Sequence, residues 1–380
     1  MKRTNRKIIY LLLGCFTLIY NSCRKEQKPP QETVTQVDHP DSNYATKGMY
    51  ILNEGNMNQN KASLDYLDFT TGKYHSNIYS QANPTIVKNL GDVGNDIGAY
   101  GSKLYIVVNN SNLVEVVNVH TAKHIGQINI ANCRNVVFHN NHAYVSAYLG
   151  TVGDPKAPNG AVYEIDTATL QITRKVTVGR QPEEMAIVGE KLYVANSGGY
   201  SPPNYERTLS VVDINSFTEI KKIDVAINLE KVKADQYGDL YVTSRGDYYT
   251  IPPDLYVIDT KTDAIKKDFK MPVSNLWIDG DTAYMYSVAF SYITGQNTIA
   301  YSMINVKDET VSDKQFITDG TEKQIKVPYG IAVNPITKEV YVADAKNYVI
   351  SGTLYCFDPT GKKEWSVTAG DIPGHFAFIY

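Results

Sequence analysis

Aromatic rings and side-chain amides crowd six long polar segments of this sequence. They span residues 53–61 (NEGNMNQNK), 146–160 (SAYLGTVGDPKAPNG), 196–207 (NSGGYSPPNYER), 244–253 (SRGDYYTIPP), 287–297 (SVAFSYITGQN) and 344–352 (DAKNYVISG). Their candidate ligand contacts are Tyr148, Asn196, Tyr200, Tyr205, Arg245, Tyr248, Tyr249, Phe290, Tyr292, Asp344 and Tyr348. Shorter segments such as LGDVGND, NCRNV, GRQPEE and DIPGH add Asn95, Arg134, Gln181 and His375, with Asp92, Glu183, Lys231, Asn275 and Tyr329 as further central groups. Rigid rings beside adaptable amides and hydroxyls suit non-covalent recognition of a polar partner. Catalytic patterns are sparse by comparison. HExxH, GxSxG and P-loop spacings are absent. Glu183 and Glu184 are adjacent, so strand alternation is expected to send them to opposite faces, against a paired acid–base role. Glu54, Asn196 and Asp344 form a weak candidate calcium set. No catalytic residue, metal ligand or resident cofactor is assigned, and the chain is expected to bind rather than catalyse.

Cys23 carries a different chemistry. Before it come a basic start (Lys2, Arg3, Arg6, Lys7), a 13-residue apolar run Ile8–Tyr20, and Asn21–Ser22. The run is short for a membrane span of roughly 20 residues, and its layout is that of a cleaved export signal. The small residue before Cys23 resembles a bacterial lipobox, which implies cleavage there, thioether lipidation and acylation. Several acyl chains make a stable membrane anchor, at about 0.8 kcal/mol per buried methylene. Losing the four basic residues of 1–22 takes the formal net charge from −3 to −7, which argues against a nucleic-acid partner, since phosphate binding wants a basic face. Residues 24–46 are polar and proline-containing and read as a flexible tether. Cys133 and Cys356 sit in apolar runs, and buried free thiols are the expectation, with one disulfide in an oxidising compartment as the alternative.

These groups need a frame, and the sequence repeats one. An apolar strand with an early tyrosine recurs as MYILNEG, KLYIVVNN, HAYVSAYL, KLYVANSG, DLYVTSRG, AYMYSVA and EVYVADA, its tyrosines being Tyr50, Tyr105, Tyr144, Tyr193, Tyr241, Tyr284 and Tyr341. Spacings of 55, 39, 49, 48, 43 and 57 residues bracket the period of four-stranded propeller blades. A second strand follows each copy and ends at Asp68, Asn118, Asp166, Asp213, Asp259, Asn305 or Asp358, residues expected to start tight turns. An inner strand precedes six copies. The first copy lacks one, and GHFAFIY at the C-terminus is expected to supply it. The expectation is an all-β, seven-bladed propeller of four-stranded blades over 47–380, closed by its last strand. In that frame the long loops share one face, and the residues three past each repeat tyrosine (Asn53, Val108, Ala147, Asn196, Ser244, Ser287 and Asp344) are expected at the channel mouth.

The copies KLYVANSG, DLYVTSRG and EVYVADA resemble the YVTN-type propeller family. The opening YILNEGN…ASLDYLDFTTGK and the ending EVYVADAKNY…GTLYCFDPTGK…IPGHF are similar to surface lipoprotein propellers of Bacteroidetes, one branch of which, the BtuG type, captures vitamin B12 (cobalamin). The resemblance implies a non-enzymatic protein lipid-anchored at the outer membrane, facing the cell surface. It further implies cobalamin as carried ligand and an outer-membrane TonB-dependent transporter as partner. A protein- or glycan-binding module and a metal-dependent lactonase stand as alternatives.

Overall fold

A computed structural model describes residues 32–40, 45–86, 89–152, 154–199, 204–291 and 295–380; the signal and Cys23 lie outside them. Seven antiparallel sheets follow one another along the chain. Blade one takes its inner strand from the C-terminus, Pro373–Ile379, paired with Gly48–Asn53. The inner strands of blades two to seven are Gly94–Tyr100, Cys133–His139, Pro182–Val188, Leu229–Ala234, Asn275–Asp279 and Pro328–Val333. Each packs on the inner strands of both neighbours, and the cycle closes from blade seven to blade one. The chain is therefore a seven-bladed β-propeller, and its last strand removes the sheet edges an open ring would expose.

The repeat tyrosines are stitches. Six of the seven, all but Tyr284, are among the largest fully buried side chains. Four donate their hydroxyl to a carbonyl just past the third strand of the next blade. Tyr50 reaches Val119 O at 2.9 Å, Tyr105 reaches Thr167 O at 3.4 Å, Tyr193 reaches Thr260 O at 3.4 Å and Tyr241 reaches Val306 O at 3.2 Å. Much of the tyrosine excess thus holds blades together rather than facing solvent. The turn residues behave as their chemistry dictates. All seven, from Asp68 to Asp358, accept a backbone N–H two or three residues on.

One expected boundary differs. Within the stretch read as tether, Val34–Gln36 pairs with Lys73–His75 as a fifth, outermost strand of blade one. Glu32 meets His75 at 2.6 Å, and the Gln36 amide reaches the carbonyl oxygens of Asp38 and Thr71. The third strand to fourth strand turn ends at Gly72, where an added Cβ would lie 2.2 Å from Asp38 O, so glycine lets the segment close over the turn. Cys133 and Cys356 are buried free thiols, as expected.

Candidate functional site

Alternation along an inner strand should present one residue in two to the central channel. Six of the seven inner strands break that rule at the same place. Register shifts fall at Gly374, Asn95, Arg134–Asn135, Glu183–Glu184, Glu230–Lys231 and Tyr329. A bulge bends the strand and re-aims consecutive side chains. Consecutive residues from the blades therefore line the channel in two tiers. Gly374, Asn95, Arg134, Glu183, Glu230, Ser274 and Tyr329 form the upper tier of a cavity of about 630 Å³. His375, Asn135, Glu184, Lys231 and Asn275 lie below them and also line a second chamber of about 330 Å³, which Asp96 and Lys233 join. Glu183 and Glu184 were expected on opposite faces. The bulge cancels the alternation, and both line the cavity.

The upper tier is an ion network. Glu183 lies between two guanidinium groups, accepting from Arg134 at 2.9 Å and pairing with Arg245 at 3.2 Å. Tyr148 donates to it at 2.6 Å, and Arg134 sits 5.0 Å above the Tyr148 ring. Arg245 also meets Glu230 at 2.9 Å, and Asn95 accepts from Arg134 at 2.6 Å. Burial pushes the Glu183 carboxyl up, but Arg134 and Arg245 outweigh it and hold the group at about 2. Across the channel, Glu54 joins His375 and the Tyr329 hydroxyl, each at 2.9 Å. In the lower tier, burial raises Glu184 while Lys233 and Lys231 bring it below its ordinary value. Asp96 is raised by burial, against His375, and its carboxylate accepts from Val136 and Ile97.

Of the residues singled out from sequence, Asn95, Arg134, Tyr148, Arg245, Tyr248, Tyr348 and His375 come together around this cavity. Tyr348 contributes from blade seven with its ring edge-on to Tyr329 at 5.9 Å. Asn196 and Asp344 do not join them. Both end second strands, one strand away from the channel, and are fully buried there. Asn196 donates to Thr208 and Ser210, and Asp344 accepts from Val327 and Lys346. Asn53, Val108, Ala147, Ser244 and Ser287 share that fate. With Glu54 in the cavity and Asn196 and Asp344 inside blades, the calcium set is not gathered. Gln181 is buried against Gly199 rather than in the cavity, Asp92 stitches Asn58 to Asn110, and Tyr249 is 82% exposed beyond the rim. Tyr205 is half-buried and does not line the cavity. Tyr200, Tyr292 and Cys23 lie outside the described residues, as does the side chain of Phe290.

Sequence reasoning passed over Asp96, Asn135, Glu230, Lys233 and Tyr286. The signal was present. A polar dipeptide precedes the apolar centre of most inner strands: Asn95–Asp96, Arg134–Asn135, Glu183–Glu184, Glu230–Lys231 and Ser274–Asn275. His120 and His124, four residues apart in the sequence, flank the outer turn of blade two away from the channel, and His124 meets Glu115 at 2.5 Å. The one cluster with metal-ligand spacing among the described residues, Glu339, Cys356 and Glu364, lies just before the second strand and on the third and fourth strands of blade seven and not in the channel.

The family described as "Domain of unknown function (DUF5074)" matches residues 47–372. No curated protein matches the chain. Among solved structures, a functionally unknown protein of Desulfotomaculum acetoxidans is similar at TM-score 0.60 and 9% identity, covering 88% of this chain and 99% of that one. A quinonprotein alcohol dehydrogenase-like protein of Bacteroides thetaiotaomicron gives 0.57 and 14%, over 88% and 78%. Hydrazine synthase of Kuenenia stuttgartiensis gives 0.54 and 16%, over 70% and 76%. At these identities the likeness concerns the fold.

Proposed function

The chain belongs to the DUF5074 family, whose description names no activity, and from the channel itself we propose that it is a non-enzymatic capture protein for a broad, polar small molecule. One observation carries this reading. Paired polar residues from the blades converge under an open mouth of about 630 Å³ whose wall includes Tyr148, Tyr248, Tyr286, Tyr329 and Tyr348. Convergent polar groups among aromatic walls are the usual make-up of a small-molecule site. The wall is nearly balanced in charge. Glu54, Asp96, Glu183, Glu184 and Glu230 face Arg134, Lys231, Lys233 and Arg245. Such a wall favours a neutral or zwitterionic ligand over a polyanion. Glu183 and Glu184 are held ionised by their cations, which suits binding better than proton transfer near neutrality.

Cobalamin fits this chemistry, being broad and fringed with amides, and it is the ligand the lipoprotein resemblance implies. The wider proposal follows. The chain is lipidated at Cys23, sits on the outer membrane, and passes cobalamin to a TonB-dependent transporter. No helix among the described residues is long and apolar enough to cross a membrane, so attachment would rest on the lipid. Titration calorimetry of the purified protein with cyanocobalamin is the test. Saturable heat at micromolar protein is expected, and silence would sink cobalamin. Pull-down from an outer-membrane extract should recover a β-barrel transporter; recovery of a glycan or a soluble protein alone would favour an interaction module.

A further inference from the structure

The tier between the two chambers can be accounted for atom by atom. Glu184 accepts from Lys233 Nζ at 2.5 Å and Val232 N at 2.9 Å. Asp96 accepts from two backbone amides. Asn275 accepts from Leu276 N and donates to Tyr329 O. His375 is held by Glu54. Two side chains remain. The backbone N–H of Lys231 donates to Thr243, but its ammonium makes no hydrogen bond among the described residues, and the carboxylate oxygen within 4 Å of its Nζ is that of Glu230 at 3.9 Å. The Asn135 backbone N–H donates to Ser146, but its side-chain amide has no hydrogen-bond partner among the described residues, although the residue is only 5% exposed. Both residues line both chambers. Nearly buried polar groups left without partners are uncommon, and here both border open space.

We propose that Lys231 and Asn135 are the specificity-determining pair of the channel, holding a primary carboxamide of the ligand at the waist between the chambers. Lys231 donates to the amide oxygen, while Asn135 matches the amide with an acceptor and a donor of its own. Charge selects the class. Asp96 and Glu184 already balance Lys231 and Lys233, so a carboxylate at the waist would bring an uncompensated charge into a secluded site, whereas a carboxamide brings none. Glu184 and Glu230 outweigh the burial of Lys231 and keep it an ammonium, a donor across the physiological range. The inference rests on the channel being the ligand site and adds the functional group that the ligand inserts.

Crystals of the full domain soaked in propionamide, and separately in propionate, test the waist directly. Propionamide seated between Lys231 and Asn135, with propionate absent, is expected. Propionate bound in preference, or neither molecule bound, overturns the proposal. Calorimetry with cyanocobalamin then compares the wild type with Lys231→Met and Asn135→Leu. A loss of about tenfold or more is expected for the first and about fivefold for the second. The near-isosteric Asn135→Leu keeps the test valid if Lys231→Met does not fold, and unchanged affinity in a folded Asn135→Leu protein overturns the role. Propionamide bound while cyanocobalamin gives no heat would sink the cobalamin reading and leave the waist site standing.

Discussion

Glu183 is 3% exposed between Arg134 and Arg245, so its proton affinity is a statement about stability. Its carboxyl is held at about 2 in the fold, below the roughly 4.3 of an unfolded glutamate. A depressed carboxyl stabilises the fold above its unfolded value, and that stabilisation is lost as pH falls towards 2. Chemical denaturation from pH 6 to pH 3 should show a loss of about 2 kcal/mol from this group, growing to about 3 kcal/mol below pH 2. Glu183→Gln should flatten that slope while lowering stability at pH 7 by about 3–5 kcal/mol, because two buried guanidinium groups lose their partner. An unchanged pH slope in that variant would refute the assignment. At Tyr193 the hydroxyl joins Thr260 O and Asp263 of blade five. Tyr193→Phe should cost about 1–2 kcal/mol in urea unfolding, whereas Tyr249→Ala, at an exposed ring, should fall within about 0.5 kcal/mol of wild type. The roles of these residues were unevenly legible. The turn-forming Asp and Asn residues act within three positions of themselves, so sequence suffices for them. Asn196 and Asp344 looked like mouth residues because distance from the repeat tyrosine was counted along the chain. That count leads down the second strand, whereas the channel belongs to the first.

Elements were easier to read than their registers. Seven tyrosine-marked strands and the unmatched GHFAFIY run were enough to place the blades and the closing pair, since each strand carries its own apolar alternation. The bulges were not readable in the same way. An extra residue shows itself only against a partner strand, as where Pro182 pairs with Asn196 and the next register match is Met185 with Val194. The docked strand Val34–Gln36 was hidden for a related reason: its three residues are exposed, and its hold comes from backbone pairing and from Glu32, Gln36 and their partners. The closing strand makes the firmest claim at this scale. Ending the chain at Asp371 should leave Gly48–Asn53 as an open, fully buried-type edge. The product is expected to be aggregated on size exclusion and to lack a cooperative melt. A soluble, cooperatively melting product would show that the ring closes without it.

At the scale of the molecule, the ring converts a linear repeat into a single convergent site: no blade owns the cavity, and every blade contributes to it. That explains why the fold was plain in the sequence while the binding wall was not, since the wall is a property of residues from seven distant strands brought to one axis. It also explains why a ligand assignment must come from measurement on the whole ring. The closing strand has a further consequence in time. Translation proceeds from the N-terminus, so Pro373–Ile379 is made after the other six inner strands have already emerged. Until then the growing chain is an open crescent, and the wall lacks Gly374 and His375, together with the Glu54–His375 contact across the closing pair. Arrival of this strand and acquisition of a finished pocket are therefore the same event. A chain that stops before Pro373 lacks that pocket whatever its remaining blades do.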